Sequence, residues 1–243
     1  STRRVEDLVL HYAPGVVTVG GRIQSGVIGP GCTNERYEDC RELAQFCIDS
    51  KLPLVIDAGA LDLVKGLRDY ADAHSRSLSR TILTPHHGEA ARLLTQFGHP
   101  LSRADVDADP TASAKELASL TGAIILLKSS TTLCSYLHHD QGNRTQEIFS
   151  IPQETPWAGV AGSGDVLAGT VAGIAAGFQA RAERRQGNPS ISEAECATLA
   201  SLGAWVHAQA AFRASVSSEG HAHPIQAIDI ARALPEIIGG LCS

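Results

Sequence analysis

Three short and largely apolar runs constrain the fold of this chain more than any other feature: Leu54-Val55-Ile56, Thr81-Ile82-Leu83-Thr84 and Ala123-Ile124-Ile125-Leu126-Leu127. A strand with one solvated face alternates apolar and polar residues. A strand covered on both faces has no polar position to alternate with. Runs of this kind, separated by stretches of helical character, predict neighbouring parallel strands in a central sheet with helices on both faces. In such sheets ligands collect at the carboxyl ends of the strands. Asp57, His86 and Lys128 follow the three runs directly or within a few residues, and Gly29-Pro30-Gly31 follows a further short strand at Ser25-Gly26-Val27-Ile28.

The rest of the chain fits around that sheet. Val16 to Val19 is rich in β-branched residues and predicts another strand, and Asn34 to Ser50 has helical periodicity through Tyr37, Leu43, Ala44, Phe46 and Cys47. A helix is expected from Ala90 to Phe97. Thr132 to Leu137 and Glu147 to Ile151 predict an antiparallel pair around the turn Asp140 to Asn143. Arg181 to Ser192 is a polar connection, Glu193 to Ala214 a long Ala-rich helix in which His207 is expected to pack, and Ile225 to Ile238 a closing helix.

Chemistry concentrates at Gly162-Ser163-Gly164-Asp165-Val166-Leu167-Ala168-Gly169. Glycines leave room for a ligand against the backbone, and the apolar run after them predicts a buried helix. The N-terminus of a helix carries N–H groups without intrahelical partners and a positive dipole end, and so attracts an anion. Asp165 in the first turn would sit beside that anion, a layout suited to moving a phosphoryl group onto a hydroxyl. As an alternative, Asp165 merely complements the helix dipole. Gly169, Gly173 and Gly177, spaced by four, predict close packing of the helix against a neighbour. After Lys128, the residues Ser129, Ser130, Thr131 and Thr132 offer hydroxyl donors for phosphate oxygens, or form an ordinary polar turn. Neither a P-loop Gly-Lys-Ser/Thr nor GxGxxG is present here.

Composition excludes several classes. A net charge of −6 disfavours broad binding to nucleic acid or anionic membranes. No charge-free run is long enough for a persuasive membrane span. The six cysteines show no CxxC and no metal-ligand spacing, so reduced thiols in a cytosolic protein are expected. The chain has no methionine, which predicts a trimmed or processed N-terminus.

Taken together, Gly162 to Gly169, Thr84-Pro85-His86-His87-Gly88-Glu89, Lys128 with its hydroxyl run to Thr132, and Gly29-Pro30-Gly31 resemble the ADP-dependent NAD(P)H-hydrate dehydratases, repair enzymes of the ribokinase-like superfamily. The Gly-Ser-Gly-Asp element alone resembles the wider superfamily, and the Thr-Pro-His element narrows it. The resemblance implies an α/β, three-layer ribokinase-like fold with a mostly parallel central sheet, one domain over residues 1–243 that lacks the N-terminal strand–helix–strand region of the family. It implies dehydration of hydrated NAD(P)H (NAD(P)HX), with ADP or ATP phosphorylating the ring hydroxyl and phosphate then leaving.

Carried over by position, Asp165 would be the catalytic base. Gly162, Ser163 and Gly164 would form the anion hole, and Lys128, Ser129, Ser130, Thr131 and Thr132 would hold the nucleotide. Gly31, His86 and Asp165 would contact the hydrated dinucleotide. The family chemistry uses Mg2+. The partners implied are NAD(P)HX and an adenine nucleotide in a cytoplasmic homo-oligomer, with no nucleic acid and no membrane. Lys128-Ser129 stands where the family has Lys-Gly, and Cys32-Thr33 where many members have Leu-Gly. The alternatives are a small-molecule kinase of the same fold (hydroxymethylpyrimidine, thiazole or pyridoxal type) and an inactive nucleotide-binding module.

Overall fold

The computed structural model describes residues 2–17, 20–140, 143–185 and 190–241. After a first helix α1 (Thr2–Tyr12), the chain runs β1 (Gly26–Ile28), α2 (Tyr37–Asp49), β2 (Leu54–Ile56), α3 (Val64–Ala73), β3 (Thr81–Leu83), α4 (His87–Gln96), α5 (Arg103–Ala108), α6 (Pro110–Thr121) and β4 (Ile124–Leu127). There follow β5 (Thr131–Asp140), β6 (Asn143–Pro152), α7 (Ser163–Ala182), α8 (Glu193–Ala214) and α9 (Ala227–Gly240). The strands form one sheet in chain order. β1 to β4 pair in parallel, and β5 and β6 turn back antiparallel.

Period-two geometry explains the unbroken apolar runs. Leu54 and Ile56 of β2 point into a core with α2, α3, α4 and α6, while Val55 between them points to the opposite side, toward α7 and α8. All three are at most 1% exposed, so neither face has room for a polar residue. β3 and β4 divide likewise, Leu83, Ile125 and Leu127 to one core, Ile82, Ile124 and Leu126 to the other. Burying one such side chain contributes roughly 1.5–3 kcal/mol, so this three-layer core dominates the stability.

The expected parallel neighbours are β2, β3 and β4, and the expected Ala-rich helix is α8, with the bounds read from the sequence. Three expectations need correction. The helix expected from Ala90 begins at His87, because His86 caps it: the imidazole accepts from the N–H groups of Gly88 and Glu89, and the Glu89 carboxylate accepts from the His86 N–H. Val16 and Val17 lie in no strand, and the remainder of that run falls on residues 18 and 19, outside the described residues, as do residues 141 and 142 of the β5–β6 turn.

The third concerns Gly169, Gly173 and Gly177. A Cβ built on any of them would meet nothing within 4 Å, so they pack against no neighbour among the described residues. Close packing of α7 onto α8 occurs through Gly203 instead, where a Cβ would fall 2.7 Å from Val171 Cγ2. The three glycines face a groove of about 860 Å³ between α7, α8 and α9, lined by Ile174, Phe178, Leu234 and Ile238 among others. No helix among the described residues is long and apolar enough to cross a membrane.

Candidate active site

Parallel pairing sets the site. Asp57, Thr84 and Lys128 each continue a strand by one residue, held to the neighbouring strand by Asp57 N–H to the Ile28 carbonyl (3.0 Å), Thr84 N–H to Ile56 (3.1 Å) and Lys128 N–H to Pro85 (2.8 Å). Their side chains converge at the carboxyl edge of the sheet. Asp57 Oδ1 accepts from Lys128 Nζ at 2.6 Å and from Thr84 Oγ1 at 2.7 Å, and Asp57 is 1% exposed. On the other flank of Lys128, Glu89 Oε2 stands 3.9 Å from Nζ while accepting the His86 N–H at 2.8 Å. The ammonium is thus fixed between two carboxylates rather than waving in solvent.

The turn before α7 meets this cluster. Gly162 is the N-cap residue with φ +85°, a left-handed conformation that favours glycine, and no side chain caps the helix. The Ser163 N–H is engaged by the Val160 carbonyl at 3.1 Å, and the first intrahelical bond runs from Val166 N–H to Gly162. The N–H groups of Gly164 and Asp165 are left for a ligand at the positive end of a 20-residue helix. A Cβ on Gly164 would lie 3.3 Å from Lys128 Nζ and 3.6 Å from Asp57 Oδ2, so the helix end and the ammonium border one space.

That space is a cavity of about 820 Å³. Lys128, Ser129, Ser130, Thr132, Ser163, Gly164 and His86 line it; Thr131, Gly162, Asp165 and Gly31 do not. Thr131 and Thr132 are successive residues of a strand, so their side chains point to opposite faces, and only Thr132 reaches the cavity, where its hydroxyl accepts from Gln153 Nε2 at 3.4 Å. Asp165 lies one residue beyond Gly164 on the exposed side of the helix turn. Gly31, with φ +64°, is exposed at the end of β1.

The sequence placed Asp57 at the sheet's carboxyl edge but not as the partner of Lys128, and it did not nominate Arg103 of α5 or His207, both of which line the cavity. His207, expected to pack, does so at 4% exposure, but its Nε2 also lies 3.1 Å from the Ser163 carbonyl and 3.2 Å from Ser163 Oγ. A carbonyl can only accept, so Nε2 carries a proton, while Nδ1 has no hydrogen-bond partner among the described residues. Burial lowers its pKa to about 4, aided by the charge of Lys128. A neutral imidazole therefore ties α8 to the first turn of α7 and engages the Ser163 hydroxyl beside the cavity.

Among the described residues no three His, Cys, Asp or Glu side chains are arranged to hold a metal ion. Asp57 and Glu89, the carboxylates nearest the cavity cation, are already engaged by Lys128 and by the His86 backbone.

The matching family model is that of NAD(P)H-hydrate dehydratase, over residues 4–234, and the chain belongs to this family. It is 32% identical over 173 residues to the bifunctional NAD(P)H-hydrate repair enzyme Nnr of Mycobacterium tuberculosis, covering 69% of this chain and 32% of that protein. It is 36% identical over 163 residues to the ADP-dependent (S)-NAD(P)H-hydrate dehydratase of Neisseria meningitidis, covering 65% of this chain and 44% of that one. The chain thus spans about a third of the first of these relatives and somewhat under half of the second. In fold it is similar to the ADP/ATP-dependent NAD(P)H-hydrate dehydratase of Bacillus subtilis co-crystallized with ATP/Mg2+ (TM-score 0.66, 19% identity, 98% of this chain and 76% of that chain). It is also similar to a ribokinase-like superfamily protein of Enterococcus faecalis (TM-score 0.56, 21% identity, 89% and 63%). The fold is ribokinase-like.

Proposed function

We propose that this member of the NAD(P)H-hydrate dehydratase family restores NAD(P)H from its hydrated form with ADP or ATP as phosphoryl donor. The observation that carries the reading is the meeting of Lys128, the free N–H groups of Gly164 and Asp165, and the hydroxyls of Ser129, Ser130 and Thr132 around the mouth of one cavity at the sheet's carboxyl edge. A helix N-terminus, a fixed ammonium and hydroxyl donors are complementary to the terminal phosphates of a nucleotide. The cavity volume suits a ligand of nucleotide size.

In this reading the nucleotide occupies the cavity, and the hydrated dinucleotide meets Asp165 and Gly31, which are exposed outside it, and His86 on its wall. Asp165 takes the proton of the ring hydroxyl as that oxygen attacks the terminal phosphorus, which releases AMP from ADP or ADP from ATP. The N–H groups of Gly164 and Asp165 and the Lys128 ammonium hold the charge gathering on the transferred group. The C–O bond to the new phosphate ester then breaks, inorganic phosphate leaves, and loss of a ring proton restores the double bond. A hydroxyl is a poor leaving group and phosphate a good one, which is the reason for joining a kinase-like site to a dehydration.

Magnesium fits as an ion carried by the nucleotide, because it keeps several waters and takes one or two carboxylates together with phosphates. It would neutralise phosphate charge when bound.

The test is incubation with hydrated NADH, ADP and magnesium while following the near-ultraviolet absorbance of reduced nicotinamide. Recovery of absorbance that requires nucleotide, with one phosphate released per NADH, is the expected result. Phosphorylation of pyridoxal or a hydroxymethylpyrimidine with no recovery would move the chain to the kinases of its fold. Inertness toward both sets would leave a binding module.

A further inference from the structure

The turn after β1 carries a thiol pair that the chemistry above does not use. Cys32 follows Gly31 and closes a tight turn through its N–H to the Gly29 carbonyl (2.9 Å), and its own carbonyl rests on the backbone of Gly59, where a Cβ would approach to 2.6 Å. Cys40 lies in the first turn of α2. Their sulfurs are 3.2 Å apart, and both residues are half-buried rather than sealed off. Cys47, Cys134 and Cys196, the other cysteines among the described residues, are fully buried. We propose that Cys32 and Cys40 form an oxidant-reactive dithiol site, which a hydroperoxide converts to an intrachain disulfide fastening the Gly31–Cys32 turn to α2.

The geometry needs little movement. A disulfide is about 2.05 Å long, so the sulfurs close by about 1.1 Å, within reach of side-chain rotation. The Cys32 S–H is directed at the Thr33 carbonyl (3.6 Å), which leaves the Cys40 S–H as the proton between the two sulfurs. Burial and that hydrogen bond push the Cys40 thiol up to about 11, so Cys40 stays protonated as donor and Cys32 is the attacking sulfur. The Cys32 thiol loses its proton as its sulfur attacks one peroxide oxygen; hydroxide leaves, takes up that proton as the first water, and Cys32 becomes a sulfenic acid. The Cys40 sulfur then attacks that sulfur and releases water. Two thiols and one hydrogen peroxide give one disulfide and two waters, a balanced two-electron step.

Formation of the bond is independent of the proposed function. Only its consequence rests on that reading, since Gly31 is there a contact of the hydrated dinucleotide.

The experiment treats the whole chain with hydrogen peroxide and digests it without reduction. The expected product is a peptide pair joined through Cys32 and Cys40, lighter by two hydrogens, with Cys47, Cys134 and Cys196 still free. It should vanish on dithiothreitol treatment and be absent from C32S and from C40S. In an active preparation, oxidation should change the KM for hydrated NADH by about threefold or more with the KM for ADP unchanged, and C40S should resist that change. Sulfinic acid on Cys32 with Cys40 still free, a disulfide between chains, or no reaction would overturn the site. An equal activity change in C40S would overturn the consequence while leaving the bond. An inactive protein that forms the linked peptide would sink the proposed function and not the dithiol site.

Discussion

Helix α7 carries two sets of glycines that behave oppositely. At its N-terminal end, a Cβ on Gly162 would meet Ala227 at 3.2 Å and one on Gly164 would meet Lys128 Nζ at 3.3 Å. Along its outer face Gly169, Gly173 and Gly177 meet nothing, and they line an apolar groove. The first set is required by contacts the chain itself makes: a left-handed cap, a close helix and an ammonium. The second set is required by no contact among the described residues. Glycine in a helix interior is less favourable than alanine by up to about 1 kcal/mol, a cost that no contact among the described residues offsets on the outer face. Polarity divides in the same way. The N-terminal end gathers Lys128, Asp57 and His207, and Phe178, Leu234 and Ile238 gather at the groove.

The largest expected effects are at the polar end. Asp165→Asn keeps an oxygen but cannot take a proton, and turnover should fall by roughly 10²-fold or more while ADP affinity, measured by calorimetry, stays close to wild type. If turnover survives, Asp165 is reduced to a partner for the helix dipole, and that end of α7 becomes as ordinary as its outer face.

Lys128→Ala should unfold the protein more readily as well as weaken nucleotide binding. It strands the buried Asp57 carboxylate, at a cost on the order of 3 kcal/mol in denaturant titration. Asp57→Asn combined with Lys128→Met should recover much of that stability without restoring binding. Equal stability of Lys128→Ala and wild type would show the pair to be dispensable to the fold.

His207 gives a pH signature of similar size. Its folded pKa is depressed to about 4 by burial, so its contribution is complete above the unfolded value of about 6.5 and declines as pH falls from there toward 4. The full span is on the order of 3 kcal/mol. Thermal melts should lose stability between pH 6.5 and 5 in the wild type, and His207→Gln should lose distinctly less over that window. Parallel curves would mean that the ring is not held neutral.

The smallest effect is expected on the outer face. Gly173→Ala should leave turnover unchanged and raise stability by about 0.5–1 kcal/mol. A loss of stability would reveal a neighbour for that face and dissolve the contrast along α7.

Much of this architecture was legible because it is local. An apolar triplet such as Leu54-Val55-Ile56 specifies burial on both faces, and Glu193 to Ala214 has one uninterrupted helical composition, opened by the Ser192 cap and its Glu195. The start of α4 was not legible, because an imidazole is an unusual capping acceptor and only the later Glu89 belongs to the usual signature. No run of comparable clarity marks α1, α3, α5 or α6, although Val64, Leu67 and Ala71 share one buried face of α3.

The site is less local. Lys128 could be nominated from its place after a strand, but its partner Asp57 lies 71 residues away, and nothing in either segment encodes the pairing. His207 resembles any buried helix residue until Ser163 is seen beside its Nε2. Glycines spaced by four mark a face of α7. They do not tell whether anything covers it.

The most direct measurement is a crystal structure of the chain with ADP and magnesium. The terminal phosphate of ADP should lie within hydrogen-bond distance of the Gly164 and Asp165 N–H groups and of Lys128 Nζ, with its outer oxygens turned toward Asp165. Phosphates bound away from that turn, with the N–H groups of Gly164 and Asp165 hydrated and Lys128 still closed on Asp57, would contradict it.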